Sequence, residues 1–382
     1  MQLPVAPSLL RTPLYESHVR AGARMVPFAG WEMPVSYPAG ILAEVRAVRT
    51  AAGMFDVSHM GRLRVRGEAA ARFLDTVCSA DVSGLGHGRS KYHVICNERG
   101  GIIDDAIVYR LTDDECLLVV NAGNKQAVLD WVLPRARAFA VAVRDTSAEF
   151  AMVAVQGPEA VGILDRLTGG VASGVRPFRI GTIVIDGVAM LAGRTGYTGE
   201  DGFEVMPPAT AAAAIWDRLG AAGVQPCGLG ARDVCRLEAG LMLHGVDMTV
   251  DNNPIEAGLE RFVYLDSPGY VAAGALRQLR ERGTPRVIVG IRMLERAIPR
   301  HGYAIFAGRG AAVGPSEGGS EGDVQVGVVT SGTHSPTLDA DIGMGYVDRA
   351  FSTPGTRLEI DVRGRRAGAG TVPLPFYSRR RS

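Results

Sequence analysis

From Gly193 to Val205 the chain reads Gly-Arg-Thr-Gly-Tyr-Thr-Gly-Glu-Asp-Gly-Phe-Glu-Val. Glycines at 193, 196, 199 and 202 suit a backbone that turns repeatedly or admits a close neighbour. The tract also holds three acids, Glu200, Asp201 and Glu204, just before apolar residues return. Acids this close cannot all be buried and charged without partners, so burial here demands an arginine or a ligand. A surface loop with solvated acids is the competing reading.

Around this tract the pattern is mixed. Residues 38–53 read as a helix, with Ile41, Val45, Val48 and Ala52 on one face, Glu44, Arg46 and Arg49 elsewhere, and Gly53 as its stop. Ile102–Leu111 and Cys116–Val120 read as strands, joined into a hairpin by Thr112 to Glu115. Ala151–Val155 reads as a buried strand, with a helix start at Gly157-Pro158-Glu159. Val234, Leu237 and Leu241 form a helical stripe after Gly228-Leu229-Gly230. Strands and helices interleave to about residue 265. Beyond a link at 265–285 the chain turns into short strands, Val287–Leu294, Val326–Thr330 and Leu358–Val362, with turn-rich segments between. The expectation is an α+β body at 1–265 and a small all-β barrel or sandwich at 286–378. Gly308–Asp323 reads as a mobile loop in the second part.

Composition narrows the function. The chain has 382 residues, enough for two or three domains, and 47% are apolar. A net charge of +1 argues against a general nucleic-acid or anionic-membrane binder. Lys91 and Lys125 are the only lysines, so a Schiff-base nucleophile has two candidates. The five cysteines form no CxxC pair and read as reduced thiols of a cytoplasmic protein. Met1 to Arg11 shows no charged leader followed by a long apolar run, so no secretory signal is expected, and no apolar stretch is long enough to span a membrane. The basic end at Arg379 to Arg381 reads as a solvated tail.

Several constellations bear on chemistry. Asp104 and Asp105 interrupt an apolar strand, where alternation sends neighbouring side chains to opposite faces. One carboxylate can therefore aim into a pocket as a proton acceptor; an edge strand with both acids wet is the alternative. Arg232 follows two glycines near a helix start, which suits a carboxylate or other planar acceptor, or equally a salt bridge to a protein acid. The third glycine of a dinucleotide fingerprint is absent there. Ser58 and His59 are adjacent without an elbow motif, so structural use near a pocket wall is expected. The histidines show no metal-ligand spacing. Asn121 can serve a heterocycle or close an Asx turn, and Tyr92 and Tyr197 can cover a ring or fill core. The sum is a pocket lined by acids, an amide and arginine, without metal or nucleophilic triad.

These motifs together resemble the aminomethyltransferase (T-protein) family of the glycine cleavage system, almost end to end. The resemblance is carried by Arg11-Thr-Pro-Leu-Tyr15, Pro27-Phe-Ala-Gly-Trp31, Phe55-Asp-Val-Ser-His-Met60 and Gly100-Gly-Ile-Ile-Asp-Asp105. It continues in Asn121-Ala-Gly123, the Gly196–Glu204 tract, Gly230-Ala-Arg-Asp-Val-Cys-Arg-Leu-Glu-Ala-Gly240, Val329-Thr-Ser-Gly332, Ser335-Pro336 and Gly343-Met-Gly-Tyr346. It implies a folate-binding fold of two mixed subdomains and a C-terminal barrel around a central hole. It implies transfer of a one-carbon unit from the aminomethylated dihydrolipoyl arm of an H-protein to tetrahydrofolate, releasing ammonia and methylenetetrahydrofolate. No metal, flavin or pyridoxal phosphate is implied. Carried over, Asp105 would sit beside the folate nitrogens that receive the carbon. Glu204 and Arg232 would hold the folate, with Tyr92, Val119, Asn121 and Tyr197 lining the site and Tyr377 at the substrate. Asp104 is expected to be structural.

Relatives of the same fold assist iron–sulfur assembly or act in folate-dependent demethylation. The intact Gly196–Gly202 tract argues against the first, and the lack of a flavin-type glycine motif argues against the second. The Gly308–Asp323 insert and the Ser267–Ala273 wording depart from the family pattern, which bears on the docking surface more than on the folate site.

Overall fold

The computed structural model describes residues 8–379 apart from 268 and 309–323. The loop expected at Gly308–Asp323 therefore lies, beyond Gly308, outside the described residues.

Two sheets make the body. The first has five antiparallel strands in the order Ser90–Cys96, Ile102–Arg110, Glu115–Val120, Gly61–Arg66 and Ala142–Asp145. The second runs Ile180–Ile185, Val188–Gly193, Gly202–Met206, Val153–Gln156, Gly53–Asp56 and Gln225–Pro226. Strict alternation sorts their side chains. In the first sheet Ala106, Val108, Cys116, Leu118 and Val120 face outward, packing with residues of the Ala70–Val77 and Lys125–Ala136 helices. In the second, Val153, Val155, Phe203 and Val205 face outward onto the Ala160–Thr168 and Ala212–Ala221 helices. The inner faces supply Tyr109, Leu117 and Val119 from one sheet and Phe55, Ala154 and Met206 from the other to one shared core. Each fully buried large side chain in these cores contributes roughly 1.5–3 kcal/mol.

The expected hairpin is present, and its first strand lies in the sheet interior rather than at an edge. The helix expected at 38–53 spans Ile41–Thr50, and Gly53 opens the following strand instead of stopping the helix. Glu44 points inward, fully buried, where its carboxylate accepts the backbone N–H groups of Tyr37 (2.6 Å) and Gly228 (2.9 Å). The link at 265–285 contains a helix, Ala273–Arg282, whose buried contacts come chiefly from Ala273 and Leu276. Leu241 lies beyond the Leu229–Glu238 helix, while Val234 and Leu237 are its buried stripe.

The C-terminal part is a closed six-stranded barrel, ordered Arg286–Met293, Ala340–Asp348, Gln325–Ser335, Ala304–Ala307, Arg357–Val362 and Arg365–Val372. The Leu229–Glu238 helix ties it to the body. Arg236 pairs with Asp247 and donates to Ser331 Oγ (2.8 Å), while Thr330 and Ser331 hydroxyls donate to Asp247 Oδ1 at 2.5 and 2.6 Å. Glu238 takes Arg49 (2.8 Å), Ser335 Oγ (2.5 Å) and Thr337 Oγ1 (3.0 Å). No helix among the described residues is long and apolar enough to cross a membrane.

Candidate active site

The glycine-rich tract resolves the question its acids pose. Glu200 pairs with Arg49 at 2.9 Å, and Asp201 meets Arg194 through two bonds of 3.0 and 2.8 Å. Arg379 adds a contact to Asp201 at 3.4 Å, so the tail is anchored at that residue. Glu204 receives no cation from any described residue. It is buried on the inner face of its strand and accepts the Thr195 hydroxyl at 2.5 Å, with Tyr109 Oη 2.7 Å from the same Thr195 oxygen. A Cβ at Gly193 would lie 2.6 Å from the Tyr109 hydroxyl, and one at Gly196 would lie 1.9 Å from Gln156 Oε1. Two of the glycines thus admit the side chains that fix the tract. Burial raises the Glu204 pKa, against the opposing pull of Thr195 and the nearby Arg232 charge.

Arg232 is the complementary case. Its guanidinium lies 4.6 Å from the centre of the Tyr197 ring, a cation–π contact, and it forms no salt bridge with any described residue. The protein-acid alternative is not realised, because the neighbouring Asp233 pairs with Arg236. Burial lowers the Arg232 pKa, while Tyr197, Glu204 and Asp105 favour its charged form; all three are within electrostatic reach. Gly228 and Gly230 serve packing: a Cβ would meet Val35 at 2.4 Å or Ile41 at 2.4 Å. Tyr197 donates its hydroxyl to Met242 O, which holds the ring under the guanidinium.

The two aspartates divide as alternation requires. Asp105 shares the inner face with Tyr92, Ile107 and Val119; Val94 stands opposite it in the register, and Ile107 pairs with both Tyr92 and Val119. It is half-buried and accepts Tyr92 Oη (2.9 Å) and Asn121 Nδ2 (2.8 Å). Asp104 is fully buried on the outer face and accepts Asn121 N (2.9 Å), Asn121 Nδ2 (2.8 Å) and Asn124 Nδ2 (2.6 Å). The Asx-turn use of Asn121 gives way to this bridge between carboxylates. Burial raises the pKa of both acids, and the charge of Asp105 raises Asp104 further. Burial and Asp105 together push the Tyr92 phenol well above its ordinary range, so it stays a neutral donor. Asp105 therefore has hydroxyl and amide neighbours and, among the described residues, no cation in contact. That suits it to meet developing positive charge in a bound molecule.

Ser58 and His59 are structural neighbours of this wall. Ser58 bonds the Met152 backbone at 3.0 and 3.3 Å, and buried Arg62 holds the Ser58 and Met60 carbonyls at 3.0 and 2.8 Å. Tyr377 stands elsewhere. Its N–H donates to Glu238 O (2.7 Å) and its ring lies 4.1 Å from the Arg49 guanidinium carbon, beside Gly199. Residues that sequence reasoning missed are Thr195 and Tyr109, which support Glu204, and His244, which lies within electrostatic reach of Asp105 and contacts Ile102 O at 3.1 Å. The Thr195 position inside the tract was a usable signal; His244 had none. Among the described residues no group of three or more His, Cys, Asp or Glu is placed to hold a metal ion.

Fold and site together define a transferase body: two facing sheets enclosing a polar site, with a closed barrel joined to it. The comparisons agree. Residues 14–267 match the model of the GCVT N-terminal domain, and 286–378 match that of the glycine cleavage T-protein C-terminal barrel domain. An aminomethyltransferase of Symbiobacterium thermophilum is 45% identical over 381 residues, covering 97% of this chain and 98% of the relative. That of Geobacillus kaustophilus is 43% identical, covering 97% and 99%. The crystal structure of the glycine cleavage system aminomethyltransferase T from Bartonella henselae superposes with a TM-score of 0.89 at 37% identity, covering 98% of this chain and 99% of that one. The chain belongs to the glycine cleavage T-protein family, and its activity is aminomethyl transfer.

Proposed function

We propose that the inter-sheet site binds tetrahydrofolate and receives the aminomethylated dihydrolipoyl arm of an H-protein, with Asp105 as the catalytic carboxylate. The observation that carries this reading is the set of ionisable groups without a counter-ion among the described residues: Arg232, Glu204 and Asp105, with Glu204 and Asp105 both within electrostatic reach of Arg232. Glu204 suits the donor edge of the pterin, and Arg232 a carbonyl or carboxylate of the ligand. Tyr92, Val119, Asn121 and Tyr197 form the walls. Tyr377, beside the Gly199 turn, belongs to the approach of the second substrate.

The reaction needs no protein nucleophile. The carbon–sulfur and carbon–nitrogen bonds of the aminomethyl thioether break, and two bonds form from the methylene carbon to folate nitrogens. The two N–H protons of folate end on ammonia and on the dihydrolipoyl thiol. The electrophilic carbon passes through a cationic iminium or sulfur-stabilised form. Asp105 steadies that charge and carries a proton, while binding supplies orientation worth several kcal/mol. The five described cysteines are free and buried, which fits a reducing cytoplasm.

The test is methylenetetrahydrofolate formation from tetrahydrofolate and aminomethylated H-protein. Wild type should turn over, and Asp105→Asn should lose about 10²–10⁴-fold in kcat with its melting temperature kept. Wild-type-like turnover in that variant would remove Asp105 from the role.

A further inference from the structure

Asn121 is held in one orientation by two acids, and this fixes what its free end can accept. Its Nδ2 lies 2.8 Å from Asp104 Oδ1, 2.8 Å from Asp105 Oδ1 and 3.0 Å from Asp105 O. Its backbone N–H is also committed to Asp104, at 2.9 Å. Turning the carboxamide round would set its oxygen against three acceptors, Asp104 Oδ1, Asp105 Oδ1 and the Asp105 carbonyl, of which one proton held by the acid pair could serve only one. The side-chain nitrogen must therefore face the acids. Its oxygen, Oδ1, takes no hydrogen bond from any described residue, and the residue is only half-buried. Asn121 follows the strand Glu115–Val120, two residues beyond Val119, which pairs with Ile107 on the inner face, and its side chain meets Asp105 there. The result is a fixed acceptor beside the catalytic carboxylate.

Asp104 cannot touch a ligand, being fully buried on the outer face with its oxygens engaged by Asn121 and Asn124. It acts through Asn121. We infer that Asp104 is a positioning residue that locks Asn121 Oδ1 as an obligate acceptor, so that the site selects the reduced pterin, which offers an N–H, over the oxidised ring. This inference rests on the folate reading above. The reduced ring carries N–H groups at positions 5 and 8, where the oxidised ring carries bare acceptor nitrogens. A bare nitrogen facing a locked carbonyl oxygen leaves two acceptors opposed and desolvated.

The test uses the full chain and equilibrium binding of tetrahydrofolate, its 5-deaza and 8-deaza analogues, and folic acid. The deaza compounds keep the reduced ring shape and each remove one N–H. In wild type, one of them should bind about tenfold weaker than tetrahydrofolate, the size of one neutral hydrogen bond, and folic acid weaker by at least that factor. Asp104→Asn offers Asn121 Oδ1 an N–H and releases the lock. Its gap between tetrahydrofolate and the sensitive analogue should shrink to about threefold or less, a change in selectivity that mere loss of stability does not produce. Equal binding of both deaza analogues and tetrahydrofolate by wild type would overturn the inference, as would a folded Asp104→Asn variant with the full gap. The wild-type series decides alone if that variant does not fold. Failure to bind any folate would instead overturn the functional reading.

Discussion

Arg232 and Arg236 stand one turn apart on the Leu229–Glu238 helix, Arg232 half-buried and Arg236 fully buried. Arg236 is enclosed by Asp247, Asp233 and Ser331, and it joins the body to the barrel. Arg232 has an aromatic ring beneath it and, among the described residues, no acid in contact. The same contrast runs through the acids of the glycine-rich tract, where Glu200 and Asp201 have arginines and Glu204 has only hydroxyls. A buried charge costs free energy unless it is paired. The paired groups hold the fold together, and in the function proposed above the unpaired ones are those that a ligand completes.

The comparison breaks most visibly at Arg236. Arg236→Ala leaves Asp247 buried without its cation, and the expected loss is about 3–5 kcal/mol of unfolding free energy. Urea denaturation measures it; a loss below about 1 kcal/mol would put Arg236 in the same class as Arg232. A second paired acid extends the test. Burial alone would raise the Asp56 pKa, but His18, Ser58 and Thr12 outweigh it and hold the carboxyl at about 2. With a depressed folded pKa, its stabilisation is present above the unfolded pKa and lost as pH falls through the folded one. Asp56→Asn should cost about 2 kcal/mol near neutrality, with the difference closing at about pH 2.

Glu204 carries the opposite sign and a smaller effect. Its pKa is raised by burial, so the folded chain retains this proton longer than the unfolded chain does. The associated stability is complete below the unfolded pKa and declines as pH rises through the folded value. Glu204→Gln should flatten part of that decline in melting temperature above about pH 4, the remainder belonging to Asp104 and Asp105. An unchanged slope would mean that burial does not raise the Glu204 pKa.

Much of this arrangement is legible in the sequence, for identifiable reasons. The Ile102–Arg110 and Glu115–Val120 hairpin announces itself through period-two alternation, which also separates Asp104 from Asp105. Three acids beside four glycines correctly demand arginines or a ligand, and Glu204 and Arg232 stand out by residue type. What stays hidden depends on partners distant in sequence. Glu44 turns inward because the N–H of Gly228, far along the chain, needs its carboxylate. The hairpin strand is interior because Ser90–Cys96 pairs on its other side. The Ala273–Arg282 helix reads as a linker because it buries little beyond Ala273 and Leu276 and is rich in arginine. Thr195 and Tyr109 gain their places only when the two sheets face each other, and His244 only when the segment after the Leu229–Glu238 helix reaches Ile102.

The most direct measurement is calorimetric titration of tetrahydrofolate into the wild-type chain and Arg232→Gln, with thermal melts of both. Removing a charge that only a ligand completes should weaken binding by about 10–100-fold, the size of a charged hydrogen bond, while the two proteins melt within a few degrees of each other. Equal affinity, or a variant that loses stability as Arg236→Ala does, would contradict the assignment of the unpaired charges to the ligand.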